Sequence, residues 1–469
     1  MRDVSESSRP RIALELAAFV DRTGYAALPS DVIEHTKHVI LDQLGCQLVG
    51  SQLPWNGIVA DYAHKFGRAG RSTVIMTGDR LDAEAAALAN GTFGHGFEID
   101  DFHIGCFAHP GCVVVPTTLA IAEEHRLSGR DALLATALAA EVLLRVGRAN
   151  GYSSVVDRGF HETSTQGPFG AASGAAKLLR LDVGRIVNAL SIAGSHASGT
   201  LEYGQSGGDV KRLHAGMAAA AGIRSARLAD AGLTGPPTVF EGRRGFLQAF
   251  ADRSDAGAAL DGLGESYHLL GIGFKAYCCM GLIHSQIDAV RELLDTHRLS
   301  AEQIEEIVIG TSRLGHSHGA AVGPAPADIT AAQFSSHFSI GLTVAAGAND
   351  FGAYWQAQED RFADPRVRDI ARRVRVQVDD ECEAAFPAHN MAKATIRIRD
   401  GHTVQCTVPE ARGFPDNALT AVEIERKFLG LACVVLPRER AQRILETVLE
   451  FERLEDLSGL MRLLNDPRN

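Results

Sequence analysis

Four stretches of the 469-residue chain gather side chains able to move protons and hold negative charge beside glycine or proline. The first runs Asn90-Gly-Thr-Phe-Gly-His95-Gly-Phe-Glu98-Ile-Asp100-Asp101-Phe-His103 and ends at His109-Pro110-Gly111. The second is Gly159-Phe-His161-Glu-Thr-Ser-Thr-Gln-Gly-Pro-Phe-Gly170, and the third is Gly207-Gly-Asp-Val-Lys211-Arg212-Leu-His214-Ala-Gly216. The fourth is Gly273-Phe-Lys275-Ala-Tyr277-Cys278-Cys279. Carboxylates beside histidines, with lysines arriving from elsewhere, suit removal of a proton α to a carboxylate. Such a proton is mismatched to a side-chain base by roughly 20 pKa units, at about 1.4 kcal/mol each, so the base cannot act alone. Fixed positive charge has to stabilise the enediolate, and an acid has to protonate any leaving hydroxyl. Each residue taken singly also has a plain structural role open to it: Asp100 and Asp101 as helix caps, His161 as a satisfied buried histidine, Lys211 as a solvated helix-end charge. Their joint occurrence in glycine-flanked loops is what favours chemistry.

Other motifs carry less. Gly315-His-Ser317-His-Gly319 matches the G-x-S-x-G nucleophile elbow of serine hydrolases and follows a strand-like run, but an elbow needs a helix directly after it. The prolines and glycine in Ala320-Ala-Val-Gly-Pro-Ala-Pro326 argue against that helix and for a flexible surface loop. His103, Cys106, His109 and Cys112 recur at a spacing of three, yet structural zinc sites use paired knuckles with a distant second pair, so no metal is expected there. Cys278-Cys279 lacks a further cysteine at cluster spacing and reads as two small, half-buried thiols. There is no P-loop, and Gly91-x-x-Gly94-x-Gly96 has neither the order nor the strand context of a dinucleotide fingerprint.

The elements that must position the four stretches follow from periodicity and punctuation. Helical patterns cover Ser30–Val49, Asp82–Gly94, Pro116–Glu124, Gly129–Val146, Gly167–Leu179, Val183–Ala193 and Lys211–Ala231. The Ala218–Ala221 run in the last of these can pack only where neighbours approach its backbone closely. Strand signals appear at Glu306–Gly310 and Ala394–Arg399, and Asp400-Gly401 before Thr403–Val408 marks a hairpin. Helices return at Ala421–Leu431 and Arg438–Glu452. The expected fold is therefore mostly α with an inserted α+β domain: a helical domain from 1–265 and 411–469, and a smaller α+β lid from 266–410.

Composition fits this picture. Hydrophobic residues make up 45% and charged residues 22%, as in soluble globular proteins rather than disordered or fibrous ones. Forty-six basic against 57 acidic residues leave a net charge of −11, which excludes a general attraction for nucleic acid and requires any anionic ligand to be met by a local basic pocket. Eight scattered cysteines suggest a reduced, cytoplasmic protein. The polar stretch Met1–Pro10 does not read as a signal peptide, and His109, Pro110 and Pro116 interrupt the least polar long window, so no membrane span is expected.

At these residues the chain resembles the MmgE/PrpD family, which includes 2-methylcitrate dehydratase, cis-aconitate decarboxylase and iminodisuccinate epimerase. The resemblance covers about residues 10–460 and is carried by the acidic loop with His109-Pro110-Gly111, by His161 through Gly-Pro-Phe-Gly-Ala-Ala-Ser-Gly-Ala-Ala-Lys-Leu-Leu, and by Ile192-Ala-Gly-Ser-His-Ala-Ser-Gly199. It continues through Lys211-Arg-Leu-His-Ala-Gly216, Lys275-Ala-Tyr277, His284-Ser-Gln-Ile-Asp288 and Ala332-Gln-Phe-Ser335. It implies a cofactor-independent homodimer acting on small polycarboxylates bound between two domains. His109, His161 and Lys211 then match catalytic positions and Lys275 a basic substrate-binding one; Glu98 and Asp101 are further catalytic candidates, and His103 and Arg212 further substrate-binding ones. Glu98 falls where the family often has aspartate. The decarboxylase-like pattern has threonine after the Asp-Asp pair and histidine five residues after the lid lysine, and this chain has Phe102 and Met280. The activity implied is a hydro-lyase of the 2-methylcitrate dehydratase kind, with epimerisation of a substituted succinate as the alternative and cis-aconitate decarboxylation after it.

Overall fold

A computed structural model describes residues 11–465, apart from the side chains of 205 and 206. The polar stretch Met1–Pro10 lies outside the described residues. Helices dominate the first half, with Ser30–Gly50, Ala83–Gly94, Gly111–His125, Gly129–Asn150, Glu162–Leu178, Val183–Ala193 and Val210–Asp230 as its main members. Their starts are fixed chemically. Asp82 accepts from the Ala85 amide, and Ser128 with Asp131 forms a capping box. Val210–Asp230 is buried along most of its length and lies against Glu162–Leu178 and Ala83–Gly94. This closeness depends on small residues: a Cβ on Gly222 would stand 2.2 Å from Cβ of Ala171.

The second half carries a four-stranded sheet in the order Val374–Val378, Ile304–Thr311, Ala392–Ile398, Thr403–Val408. The first pair is parallel and the other two are antiparallel. The expected hairpin turns at Gly401, whose φ of 94° suits glycine. The helix Gly281–His297 packs on the last two strands, and Ser336–Ala346 packs on that helix. The closing helices Ala421–Val435 and Arg438–Leu449 return to the first half, where Ala421–Val435 lies on Ser30–Gly50.

Two large hydrophobic cores result. One joins residues from Ile12 to Phe274 with Ile424 to Leu464; the other is built mainly from Cys278 to Val408 and takes in Cys46, Val49, Leu53, Phe97, Ile99 and Leu431. No helix among the described residues is long and apolar enough to cross a membrane.

Several local expectations are corrected. Two helices begin five residues before the proline or glycine expected to start them, at Gly111 and Glu162, with Pro116 and Pro168 inside. A proline removes one N–H, and burial of both helices on nearly every side outweighs that loss. The Gly315–Gly319 motif is no flexible loop, because it lies on the short helix Arg313–Gly319, capped by the Ser312 hydroxyl. Ser317 is exposed there and donates to the Leu314 carbonyl at 3.0 Å. Cys278 and Cys279 are not half-buried but wholly enclosed, both at 0% exposure, in the second core.

Candidate active site

Lys275 reaches the acidic loop through a minimal ladder. Asp101–Phe102 pairs antiparallel with Gly273–Phe274, which sets Lys275 directly after the paired residues and beside the loop. His109 precedes Pro110 and the helix Gly111–His125; His161 stands directly before Glu162–Leu178; Lys211 lies in the first turn of Val210–Asp230. Three helix N-termini, each the positive end of a peptide dipole array, thus surround the same space. That space is a cavity of about 140 Å³ lined by Glu98, His103, His109, His161, Lys211 and Lys275 on its polar side. Phe102, Met280, Phe334 and Phe414 contribute to its apolar side.

Six of the eight expected site residues therefore meet. Asp101 and Arg212 do not line the cavity. The Asp101 carboxylate accepts from the Gly111 amide at 2.8 Å and from Gln43 Nε2 at 2.9 Å, which ties the loop to the helix behind it. Arg212 is spent on the Gly96 carbonyl, Asp209 and Thr330, and its guanidinium lies 4.5 Å from the ring centre of Trp55.

The centre of the polar side is an ion triad. Glu98 Oε1 pairs with Lys211 Nζ, and Glu98 Oε2 accepts from Lys275 Nζ at 2.9 Å, with all three side chains buried. Lys275 also stands 3.7 Å from Asp100 Oδ1. Glu98 holds this position with φ of 57°, a left-handed conformation that costs a non-glycine residue about 1 kcal/mol or more and that the two ion pairs keep in place. Burial, and then the neighbouring charges of Lys275 and Arg212, pull the Lys211 ammonium well below its ordinary range. Two cations held around one carboxylate are a ready receptor for a second carboxylate or a developing enediolate.

Four imidazoles and Asp100 form the other half. His95 Nδ1 donates to Asp100 Oδ2 at 2.7 Å, and His109 Nδ1 donates to the Asp101 carbonyl at 2.8 Å with Asp100 Oδ2 at 3.1 Å. His161 Nδ1 lies 2.9 Å from His214 Nδ1, so one of the two nitrogens carries a proton and the other accepts it. In the tautomer in which His214 donates, His161 carries its own proton on Nε2 and can give it up while Nδ1 takes the proton from His214; in the other tautomer Nε2 is a base. Burial holds the His161 imidazole, and that of His95, well below the ordinary range, while His214 is lowered to about 4 for the same reason. Burial likewise lowers His103 to about 4. The rings of His95, His103, His161 and His214 are therefore neutral at pH 7. Against burial, which acts the other way, His109, His95 and Lys275 keep Asp100 ionised.

His95 and His214 belong to this cluster although neither stood among the expected site residues. The His95–Asp100 spacing of five was the available signal, and for His214 it was the place three residues after Lys211 on one helix face. The His103, Cys106, His109 and Cys112 set does not assemble: Cys106 donates to the Leu144 carbonyl and Cys112 to that of His109.

Comparison with known proteins agrees with this architecture. The MmgE/PrpD N-terminal domain model matches residues 14–258, and the MmgE/PrpD C-terminal domain model matches 277–453. The chain is 31% identical to the cis-aconitate decarboxylase-like protein oryM of Aspergillus oryzae, covering 97% of each protein. It is 28% identical to cis-aconitate decarboxylase of Aspergillus terreus, over 99% of this chain and 98% of that protein. Identity to the human cis-aconitate decarboxylase is also 28%, over 94% and 92% of the two chains. With both domain models matched and these relatives aligned along almost their whole length, the chain belongs to the MmgE/PrpD family and is an enzyme of its lyase type.

Proposed function

We propose that the protein is a hydro-lyase that removes water from a small polycarboxylate of the 2-methylcitrate kind, without a metal or cofactor in the reaction. The observation that carries this reading is the division of the cavity. Lys211 and Lys275 offer a cationic end for carboxylates, while Phe102 and Met280, with Phe334 and Phe414, offer an apolar wall for an alkyl substituent. His109, whose Nδ1 proton is committed to the Asp101 carbonyl, presents a free Nε2 as the base for the α proton. Lys211 and Lys275 stabilise the enediolate. His161 protonates the leaving hydroxyl from Nε2 while its Nδ1 takes the proton that His214 donates. Glu98, bound to both lysines, is too well paired to serve as the base and acts as their resident counter-ion. Asp101 positions His109 from behind.

Decarboxylation is the second reading, favoured by the names of the aligned relatives. Incubation with 2-methylcitrate, citrate, cis-aconitate and substituted succinates in deuterated water, followed by NMR, separates the cases. A new alkene without loss of carbon supports dehydration, loss of carbon dioxide supports decarboxylation, and deuterium at Cα without either supports epimerisation. No exchange with any of them refutes the reading.

The same proposal divides the chain into a helical domain of 1–265 with 411–469 and a lid of 266–410, in keeping with the two cores. It also includes a homodimer, which rests on the family resemblance alone, and a cytoplasmic location, which rests on the scattered cysteines; sedimentation of the purified protein as a monomer would remove the dimer from it.

A further inference from the structure

The imidazoles behind the ion triad have a property the proposed reaction does not use. His95, His109 and His161 each have Nδ1 engaged: His95 by Asp100, His109 by the Asp101 carbonyl, His161 by His214. When His161 is the donor to His214, the free lone pair of all three rings is on Nε2. One ring nitrogen from each residue lies within 4.8 Å of the others, and His95 Nε2 is buried with no hydrogen-bond partner. His95 is 0% exposed, while His109 and His161 face the cavity. Three imidazoles this close together, each held on Nδ1 by a carboxylate, carbonyl or imidazole, offer the donors and the supporting partners of a three-histidine metal site with an open fourth position.

We propose that His95, His109 and His161 bind a divalent transition-metal ion of the zinc class, and that this binding shuts off turnover. The inhibitory half rests on the acid and base roles proposed above, since a metal on His109 and His161 occupies the nitrogens that would move protons. The charges around the trio favour a modest affinity. Asp100 supports a cation through its bonds to His95 and His109, whereas Lys275, 3.7 Å from Asp100, opposes one. Lys211 opposes it too, although Glu98 compensates both lysines. The remaining cluster of this type among the described residues that lies outside the site is His389 with Glu410 and Asp416, where His389 and Asp416 are exposed, and it serves as a control.

Cobalt(II) titration of the whole protein tests binding without reference to activity, because cobalt held by three imidazoles in a four-coordinate site gives intense visible bands that hydrated cobalt lacks. The expected result is one equivalent bound with such bands, displaced by zinc, abolished in His95→Gln and unchanged in His389→Gln. X-ray absorption at the cobalt edge of the unmodified protein, reporting three imidazole nitrogens, covers the case in which the His95 variant does not fold. Only hydrated-type cobalt, or bands unchanged in a folded His95→Gln protein, overturns the site. Zinc should lower turnover at least tenfold, with recovery on chelation. Bands with undiminished turnover would overturn the inhibitory half and the proton-transfer roles of His109 and His161, whereas absent bands with normal turnover would overturn the metal site alone.

Discussion

Asp101→Asn separates a scaffolding carboxylate from a catalytic one. Burial, reinforced by the negative charges of Asp42 and Asp100, raises the Asp101 pKa to about 7 from the ordinary 3.8. Between those values the folded protein keeps a proton that the unfolded chain releases. The favourable contribution of the protonated form is therefore complete below pH 3.8 and is lost as pH rises through about 7. Three tenfold steps at about 1.4 kcal/mol each set an upper limit of ~4 kcal/mol at pH 8, and relaxation around the charge reduces this by about half. Asparagine carries no charge at any pH. Its carbonyl can still accept from the Gly111 amide, and its amide can donate to Gln43 Oε1, an atom without a partner, once the Gln43 amide turns over. Urea unfolding should show Asp101→Asn gaining on the wild type by ~2 kcal/mol at pH 8, with the gain shrinking steadily towards pH 5. A difference that is constant with pH would refute the reasoning, because it would mean that the carboxylate stays ionised throughout. Turnover gives a second reading: loss of a general base costs about 10²–10⁴-fold, whereas a positioning role predicts a loss below roughly tenfold.

The other predictions concern the cavity directly. Lys211→Ala leaves Glu98 paired with Lys275, so the fold should survive while deuterium exchange into substrate falls by about 10²-fold or more; retained exchange would remove Lys211 from the mechanism. Glu98→Gln removes the shared counter-ion of two buried lysines and should cost ~3 kcal/mol in thermal unfolding, while making turnover newly sensitive to inorganic phosphate. His214→Asn keeps a polar atom for His161 and should retain activity within about tenfold with a displaced pH profile, whereas His214→Phe should lose about 10²-fold; equal losses would deny the shared proton. Phe102→Thr with Met280→His makes the apolar wall polar and should shift product NMR from dehydration towards decarboxylation of cis-aconitate, an idea refuted by an unchanged product ratio.

Much of this arrangement was legible in the chain. The helix Val183–Ala193 and the strand Thr403–Val408 have the bounds their patterns imply, because both are short, strongly periodic and closed by clear punctuation. Lys275 was readable as a basic residue near a loop, but its approach to Glu98 depends on a two-residue ladder too short to leave a periodic signal. Glycine and proline misled at Pro116 and Pro168, where packing on all sides overrides a local preference. They misled again at Gly315–Gly319, where the Ser312 cap starts a helix that the later prolines do not reach. Asp101 and Arg212 have the residue types of a site and lie beside it in sequence, yet each spends its polar atoms on neighbouring backbone and side chains. Adjacency in the chain says which loop a side chain occupies and not which side of that loop it faces.

The Glu98 triad also bears on what the cavity rejects. A carboxylate tethered between Lys211 and Lys275 competes with any incoming anion at an effective concentration in the millimolar range or above. An ion that engages one lysine at a time meets that competitor alone, so chloride and acetate bind this pair less well than they would bind two unpaired lysines. A molecule bearing two or three carboxylates gains its second contact at little further entropic cost and can displace Glu98 from both lysines together. On the proposed reading, the acidic side chain thus works as an entry threshold that counts the charges on a visitor and favours one bearing several carboxylates.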